Sequence, residues 1–256
     1  MMLTELGLWI VVALIGLAVG SFANVCIHRI PRGKSVVMPP SHCPACGTHI
    51  RWFDNIPVLS YVLLRGRCRD CRVTISPRYL LVEVFTALIW CLAWWQAGSI
   101  WQFVDWALLF TILIIVSLID RDHGIIPNPL SLGGMVLGVL LAIVSPERGV
   151  FAAVTGLLVP ALVLAGIRWF GGRVLHRESM GVGDVKLAAM IGAFLGWQLA
   201  LMALYAGFCF AAIWVLPVLL VKGRHELGAV RMGPFFAAGT LASAWYGMEI
   251  WLWILG

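Results

Sequence analysis

The chain has 256 residues, 61% of them hydrophobic and only 12% charged, with a mean hydropathy of +0.96. Several apolar runs approach or exceed the thickness of a bilayer core, which excludes an ordinary soluble domain. The net charge of +6 does not point to nucleic acid, because the basic residues lie between apolar runs rather than on one folded face.

A first apolar span covers residues 6–26. No basic segment precedes it and no small-residue cleavage signature follows it, so it reads as a retained span rather than a removed signal peptide. Its end reads GSFANVCIHRIPRG, where Gly20, Ser21 and Ala23 permit close helix packing, Asn24 can bond across helices and Pro31 helps stop the helix. Nine of the 18 lysines and arginines then fall in residues 29–78, against only Asp54 and Asp70. This is the one segment large enough to form a small extramembrane region. It carries CPAC at Cys43–Cys46 and CRDC at Cys68–Cys71, with 21 residues between the pairs. Two short-spaced pairs suit a tetrahedral thiolate zinc site, each pair clamping one edge of the ion. A pair of disulfides is the alternative, and it weakens if the segment faces the reducing cytoplasm. His42 and His49 flank the first pair as alternative ligands, although four thiolates suffice. Cys26, Cys91 and Cys209 lie in or beside apolar runs and read as packing residues.

The second span, 79–95, holds Glu83, a carboxylate placed where it is a candidate functional group. The third, 103–119, ends at Asp120 and leads into the polar turn DRDHGIIPNPLS with Asp122, His123 and Asn128. A fourth span, 130–144, and a fifth, 150–167, precede the glycine-rich segment 168–186. Residues 187–220 contain no charge at all, too long a run for one span. A break at 196–198 divides it into a short sixth and a seventh span, with 205–207 as the alternative. The eighth occupies 233–253. The fold class is therefore all-α, a polytopic membrane protein of about eight transmembrane helices with a small four-cysteine insertion, in segments 1–28, 29–78 and 79–256. The 13 tryptophans fit interfacial anchoring and helix packing alike and decide nothing.

Eight spans place segments 28–78, 120–129, 168–186 and 222–231 on one side, with 17 of the 18 basic residues; Arg148 alone lies opposite. The positive-inside rule assigns the rich side to the cytoplasm. Asp120 and Asp184 then end two different spans on one membrane face. Each acid taken alone reads more readily as a boundary residue that merely ends a membrane span. If the fold brings them together, one can activate a water while the other donates a proton, the like charges supplying the mixed protonation that aspartyl hydrolysis needs. Two glycines before Asp184, in MGVGDVKL, allow a sharp turn or a close approach. Lys186 either tunes the pair or marks the inner boundary, and Asp122 faces elsewhere on a regular helix.

With these residues in place, the chain resembles the type IV prepilin peptidases, the prepilin leader peptidase/N-methyltransferases of the GxGD intramembrane aspartic protease class. The matching blocks are GSFANVCIHRIPRG at 20–33, PSHCPACG at 40–47, DNIPVLSY at 54–61, GRCRDC at 66–71, ISPRYLLVE at 75–83, IDRDHGIIPN at 119–128, MGVGDVKLAAMIGAFLG at 180–196 and RMGPF at 231–235. The resemblance implies that Asp120 and Asp184 are the catalytic aspartates. It implies cleavage of a short basic leader after glycine on type IV prepilins or type II secretion pseudopilins, at the cytoplasmic face of a bacterial inner membrane. It further implies methylation of the new amino terminus from S-adenosylmethionine, with structural zinc on Cys43, Cys46, Cys68 and Cys71 associated with that activity. Residues 29–78 would be the methyltransferase-associated region and 79–256 the peptidase core. No dinucleotide-type glycine loop locates the methyl donor, so Asn24, Arg29, Asp54, Asn55 and Glu83 are candidates. Asn128, Leu80 and Met232 depart from the family pattern without removing a group that proteolysis needs. The rival readings are a leader peptidase without methyl transfer, a proton- or cation-coupled transporter, and an assembly protein docking through the cysteine loop. A transporter would place carboxylates near mid-membrane and often carry paired repeats, and neither is visible here.

Overall fold

The computed structural model describes residues 2–175, 180–222 and 230–255. Residues 176–179 and 223–229, parts of the polar segments 168–186 and 222–231, lie outside the described residues. Nine α-helices are present among the described residues: α1 (Met2–Arg29), α2 (Leu59–Leu63), α3 (Pro77–Gln96), α4 (Ile100–His123), α5 (Asn128–Val144), α6 (Gly149–Leu175), α7 (Val182–Leu195), α8 (Trp197–Lys222) and α9 (Met232–Leu255). Apart from the one-turn α2, each corresponds to one of the eight expected spans. By length and composition α1, α3, α4, α6 and α8 are long and apolar enough to cross a membrane. Helix α5 is apolar but has 17 residues, and α7 has 14.

The helix ends follow from local chemistry. Ser76 caps α3 by accepting from the Arg78 N–H at 3.3 Å, and Pro77 opens the helix where no amide partner is needed. Asp184, in the first turn of α7, accepts from the Gly181 N–H at 3.2 Å, so the carboxylate reaches back to an otherwise orphaned donor. The uncharged run 187–220 breaks at Gly196, whose φ of 80° suits a residue without a side chain. The alternative break at 205–207 is uninterrupted α8. Gly207 there serves packing instead: a Cβ on it would come within 2.7 Å of the Phe236 ring on α9.

The chain forms two compact units, Met1–Ser99 and Ile100–Gly256. In the first, α1 packs along α3 through the small residues seen in the sequence. A Cβ on Gly16 would lie 2.8 Å from Ala87 Cα, and one on Gly20 would lie 2.7 Å from Glu83 Cα, so only glycine lets the backbones approach this closely. In the second unit α4 packs chiefly on α9, α8 on α9, and α7 between α5 and α6. Residues 187–194 of α7 are all buried. Gly156 of α6 and Gly192 of α7 meet backbone to backbone, and a Cβ on Gly138 of α5 would sit 3.1 Å from Ala193. Apolar side chains face outward on the same helices, as at Leu162 and Leu220, exposed by 67% and 79%. Such an apolar exterior is what a bilayer accommodates and water does not.

Candidate functional site

In the second unit the end of α4, the start of α7 and the start of α9 converge on Asp120. This carboxylate is buried, whereas Asp122 and His123 on the same turn are exposed. Its Oδ2 accepts from the Gly233 N–H at 2.8 Å, and Ser117, one turn earlier, donates to the Gly233 carbonyl at 3.3 Å. Gly233 is thus gripped by α4 through both of its peptide groups. A Cβ there would lie 2.8 Å from Asp120 Oδ2, so glycine is required for the approach. Gly124 ends α4 with φ of 67°, its N–H donating to the Asp120 carbonyl at 2.8 Å, and the Arg231 guanidinium occupies the space a side chain on Gly124 would need.

The turn after Asp120 also holds the start of α7. A Cβ on Gly183 would lie 3.0 Å from Ile126, and Lys186 Nζ donates to Asn128 Oδ1 at 2.8 Å. Lys186 therefore pins the turn to the helix. Asp120 and Asp184, 64 positions apart in the chain, come close enough for the charge of one to act on the other. A pair of carboxylates near the ends of two buried helices, one fixed by a backbone amide, is the arrangement from which acid-base activation of a water can be built.

In the first unit the four cysteines form one cluster, all sulfurs within 4.8 Å of one another, without His42 or His49. Two matching turns build it. In each, the residue after the second cysteine takes a left-handed conformation, Gly47 with φ of 72° and Arg72 with φ of 60°. The N–H of that residue donates to the first cysteine's carbonyl, Gly47 to Cys43 at 2.9 Å and Arg72 to Cys68 at 3.1 Å. The first cysteine's N–H donates onward, Cys43 to Thr48 and Cys68 to Val73. The sulfurs of Cys43 and Cys71 are 3.8 Å apart. Four thiolates about 2.3 Å from a tetrahedral zinc would be separated by about 3.8 Å, so the cluster fits that ion. Hydrogen bonding to Thr48 draws the Cys46 thiol down to about 6. Backbone amides, that of Cys71 foremost, also lower Cys68. Cys71, although the Val73 amide draws it down, is pushed up to about 12 by desolvation and the neighbouring thiols. A divalent cation is what would let all four ionise together.

Beside the cluster lies a cavity of about 750 Å³, lined by Asn24, Arg29, Asp54, Asn55 and Glu83 together with Cys43 and Cys68. All five residues singled out in the sequence therefore meet at one space. Four of them build its wall. Asn24 Nδ2 donates to the Tyr79 carbonyl at 2.9 Å, Arg29 to the Ser35 carbonyl at 3.0 Å, and Arg69 forms two bonds to Asp54 at 2.6 and 2.8 Å. The Arg69 guanidinium holds the Asp54 carboxyl below its usual range. Glu83 Oε2 accepts from the Val58 N–H at 2.8 Å. Val58 has φ of 62° and ψ of −52°, and the Leu59 N–H donates to the Pro57 carbonyl at 2.6 Å, a tight γ-turn that a β-branched residue adopts only under strain.

Sequence reasoning placed Asp120 and Asp184 but assigned nothing to Gly233 or Arg231. Their signal was the RMGPF block, a glycine and proline opening a helix after a lone arginine: Gly233 acts through its backbone and has no side-chain signature, and the Arg231 guanidinium meets Gly124, a contact that no spacing marks.

The chain matches two family models, the bacterial peptidase A24 N-terminal domain over residues 14–97 and the type IV leader peptidase family over residues 107–216. It is 40% identical over 211 residues to the prepilin leader peptidase/N-methyltransferase of Myxococcus xanthus, a match spanning 82% of this chain and 63% of that protein, less than two thirds of its length. It is 35% identical over 260 residues to the protein of the same name from Pseudomonas aeruginosa, covering 91% of this chain and 88% of the relative. The type 4 prepilin-like proteins leader peptide-processing enzyme of Escherichia coli is 38% identical over 252 residues, covering 89% and 90%. No solved structure matches. With both halves matched in order and relatives this similar over nearly their whole length, the chain belongs to the type IV leader peptidase family.

Proposed function

We propose that this protein removes the short basic leader of type IV prepilins or type II secretion pseudopilins after glycine, at the cytoplasmic face of a bacterial inner membrane, and then N-methylates the new amino terminus. The observation that carries the proteolytic reading is the convergence of Asp120 and Asp184 from two helices in the second unit. In hydrolysis an ionised carboxylate takes a proton from a water between the pair, whose oxygen bonds to the scissile carbonyl carbon. The protonated partner donates to the carbonyl oxygen. Collapse of the tetrahedral intermediate breaks the C–N bond, and the leaving amine takes a proton from the pair. The Gly233 amide holds Asp120 in place through these steps. The cytoplasmic orientation rests on the 17 of 18 basic residues assigned to that side.

For methyl transfer, Cys43, Cys46, Cys68 and Cys71 would hold a structural zinc and so join the two turns, four thiolates leaving no position for substrate. S-adenosylmethionine supplies the methyl group when bound, and a cavity of about 750 Å³ is the right size for it. Asn24, Arg29, Asp54 and Glu83 shape that cavity through the bonds they make, and Asn55 completes the lining.

Intact mass of a prepilin-like substrate incubated with the purified protein, with and without S-adenosylmethionine, tests both halves. Leader loss in both samples and a gain of about 14 Da only with the donor is the expected result. Asp120→Asn and Asp184→Asn should each abolish leader loss in folded protein. Retention of cleavage in both variants would sink the two-carboxylate mechanism.

A further inference from the structure

Helix α7 carries Asp184 but has only 14 residues, about 21 Å of helix against a hydrocarbon core of about 30 Å. Its own length therefore cannot set its depth. Its seam with α6 centres on a glycine contact, Gly156 on Gly192, which brings the backbones together, while Leu187, Met190, Ile191 and Phe194 of α7 are buried around it. The end of α7 away from Asp184 also carries a polar tie, made by Arg148 in the turn before α6. Its guanidinium donates to the carbonyl of Phe194 in the last turn of α7 and, at 2.7 Å, to the carbonyl of Gly138 on α5. The same group pairs with Asp105 Oδ2 on α4 at 3.2 Å and lies 6.0 Å from the centre of the Phe194 ring.

One side chain therefore ties together α4, α5 and α7, and two of these are the helices that carry Asp120 and Asp184. The tie lies at their far ends. Asp105 is 15 residues from Asp120, about 22 Å along α4, and Phe194 is 10 residues from Asp184, about 15 Å along α7. A tilt of about 5° at the tie would displace a carboxylate by about 1 to 2 Å, enough to cost on the order of a hundredfold in rate. The pair is a poor source of stability by itself. Both side chains are largely desolvated, and among the described residues Asp105 Oδ1 and Arg148 Nε have no hydrogen-bond partner. Its geometric role is the one the contacts favour.

We propose that Arg148, held by Asp105, is a positioning residue for peptide hydrolysis: it locks the remote ends of α4 and α7 together and so sets the spacing of Asp120 and Asp184. This rests on the two-carboxylate reading above.

The test compares Arg148→Met, Arg148→Lys and Asp105→Asn with the unaltered protein, measuring kcat and KM for leader removal and the pH profile of kcat/KM. Arg148→Met is expected to lower kcat by about 10- to 100-fold with KM within about twofold. The two limbs of its bell-shaped profile should move closer together, because repulsion between the carboxylates is what separates them. Loss of the Arg148 charge, about 15 to 22 Å from the carboxylates, shifts both limbs in one direction and changes their separation little, so a clear narrowing reports carboxylate spacing. Arg148→Lys, which keeps a donor, should recover part of kcat. Unchanged kcat and limb spacing in folded Arg148→Met would overturn the proposal, as would a loss that only follows the folded fraction with spacing preserved. Should Arg148→Met fail to fold, Asp105→Asn keeps both carbonyl contacts and should show the same changes at smaller amplitude; no change there overturns the proposal equally. Wild-type cleavage rates in Asp120→Asn and Asp184→Asn would instead overturn the catalytic reading, and this role with it.

Discussion

Gly233→Ala puts the proposed catalytic site to its sharpest test. The added methyl would sit 2.8 Å from Asp120 Oδ2, 3.0 Å from its Cβ and 3.3 Å from its Cγ. Ordinary contact begins at 3.4 Å, so the carboxylate must retreat by 0.6 Å, the difference between 3.4 and 2.8 Å. That retreat breaks or lengthens the 2.8 Å bond from the Gly233 amide. A hydrogen bond to a charged group contributes about 1.5 to 3 kcal/mol. If that bond acts in the transition state, its loss lowers kcat by about 10- to 150-fold. KM for the leader substrate should stay within about twofold, since the perturbed contact is with Asp120 rather than with substrate. The assay is the initial rate of leader removal followed by mass spectrometry. Gly133→Ala is the control: it is also helical, and a Cβ there meets nothing within 4 Å. If Gly233→Ala cleaves as fast as Gly133→Ala, the Gly233 amide does not position a working carboxylate, and the holding role assigned to it fails.

Other consequences follow from both units. Zinc analysis should find one ion per chain, lost on replacing Cys43 or Cys68 with serine, and chelation should impair methyl transfer and thermal stability more than leader cleavage; immediate loss of cleavage in folded protein, restored by zinc, would contradict this division. Glu83→Ala removes the acceptor for the half-buried Val58 amide, a loss of about 1 kcal/mol, and should weaken methyl transfer while cleavage persists; equal rates of methylation in variant and wild type would count against the cavity assignment. Gly16→Ala forces α1 from α3, where its Cβ would meet Ala87 Cα at 2.8 Å, and should lower the melting temperature in detergent through a loss of about 1 to 3 kcal/mol, whereas Gly7→Ala, with open space around it, should leave it unchanged. The Asp54 carboxyl is lowered by Arg69, so its contribution is complete above the ordinary aspartate range and is lost only as pH falls through its own lower value. Unfolding curves of the wild type and Arg69→Ala should accordingly differ equally at pH 6 and 8, and a difference that grew between those values would refute the sign.

Hydropathy alone located the helices because a bilayer demands long apolar runs with backbone groups satisfied internally, and charge gave the sidedness expected of the loops because basic residues resist translocation. Gly196 was legible as a break because an uncharged run of 34 residues is too long for one span and glycine tolerates the φ of 80° found there. The cysteine pairs were legible because two cysteines three positions apart bring their sulfurs to one side of a turn, a local geometry, and the four sulfurs do cluster. Asp120 and Asp184 were legible as helix-end acids, but their meeting was not, since hydropathy has no lateral term. Only packing of α4, α7 and α9 decided that a backbone amide, Gly233, would hold Asp120, and that a turn pinned by Lys186 and Asn128 would seat the start of α7. The cavity is built from residues spread over 24–83, which no spacing rule groups. Arg148, which in the sequence was simply the one cation on the far side, bonds to two main-chain carbonyls, and carbonyls are the same in every residue. Side-chain chemistry is written in the sequence residue by residue; which backbone groups it meets is settled only when the helices pack.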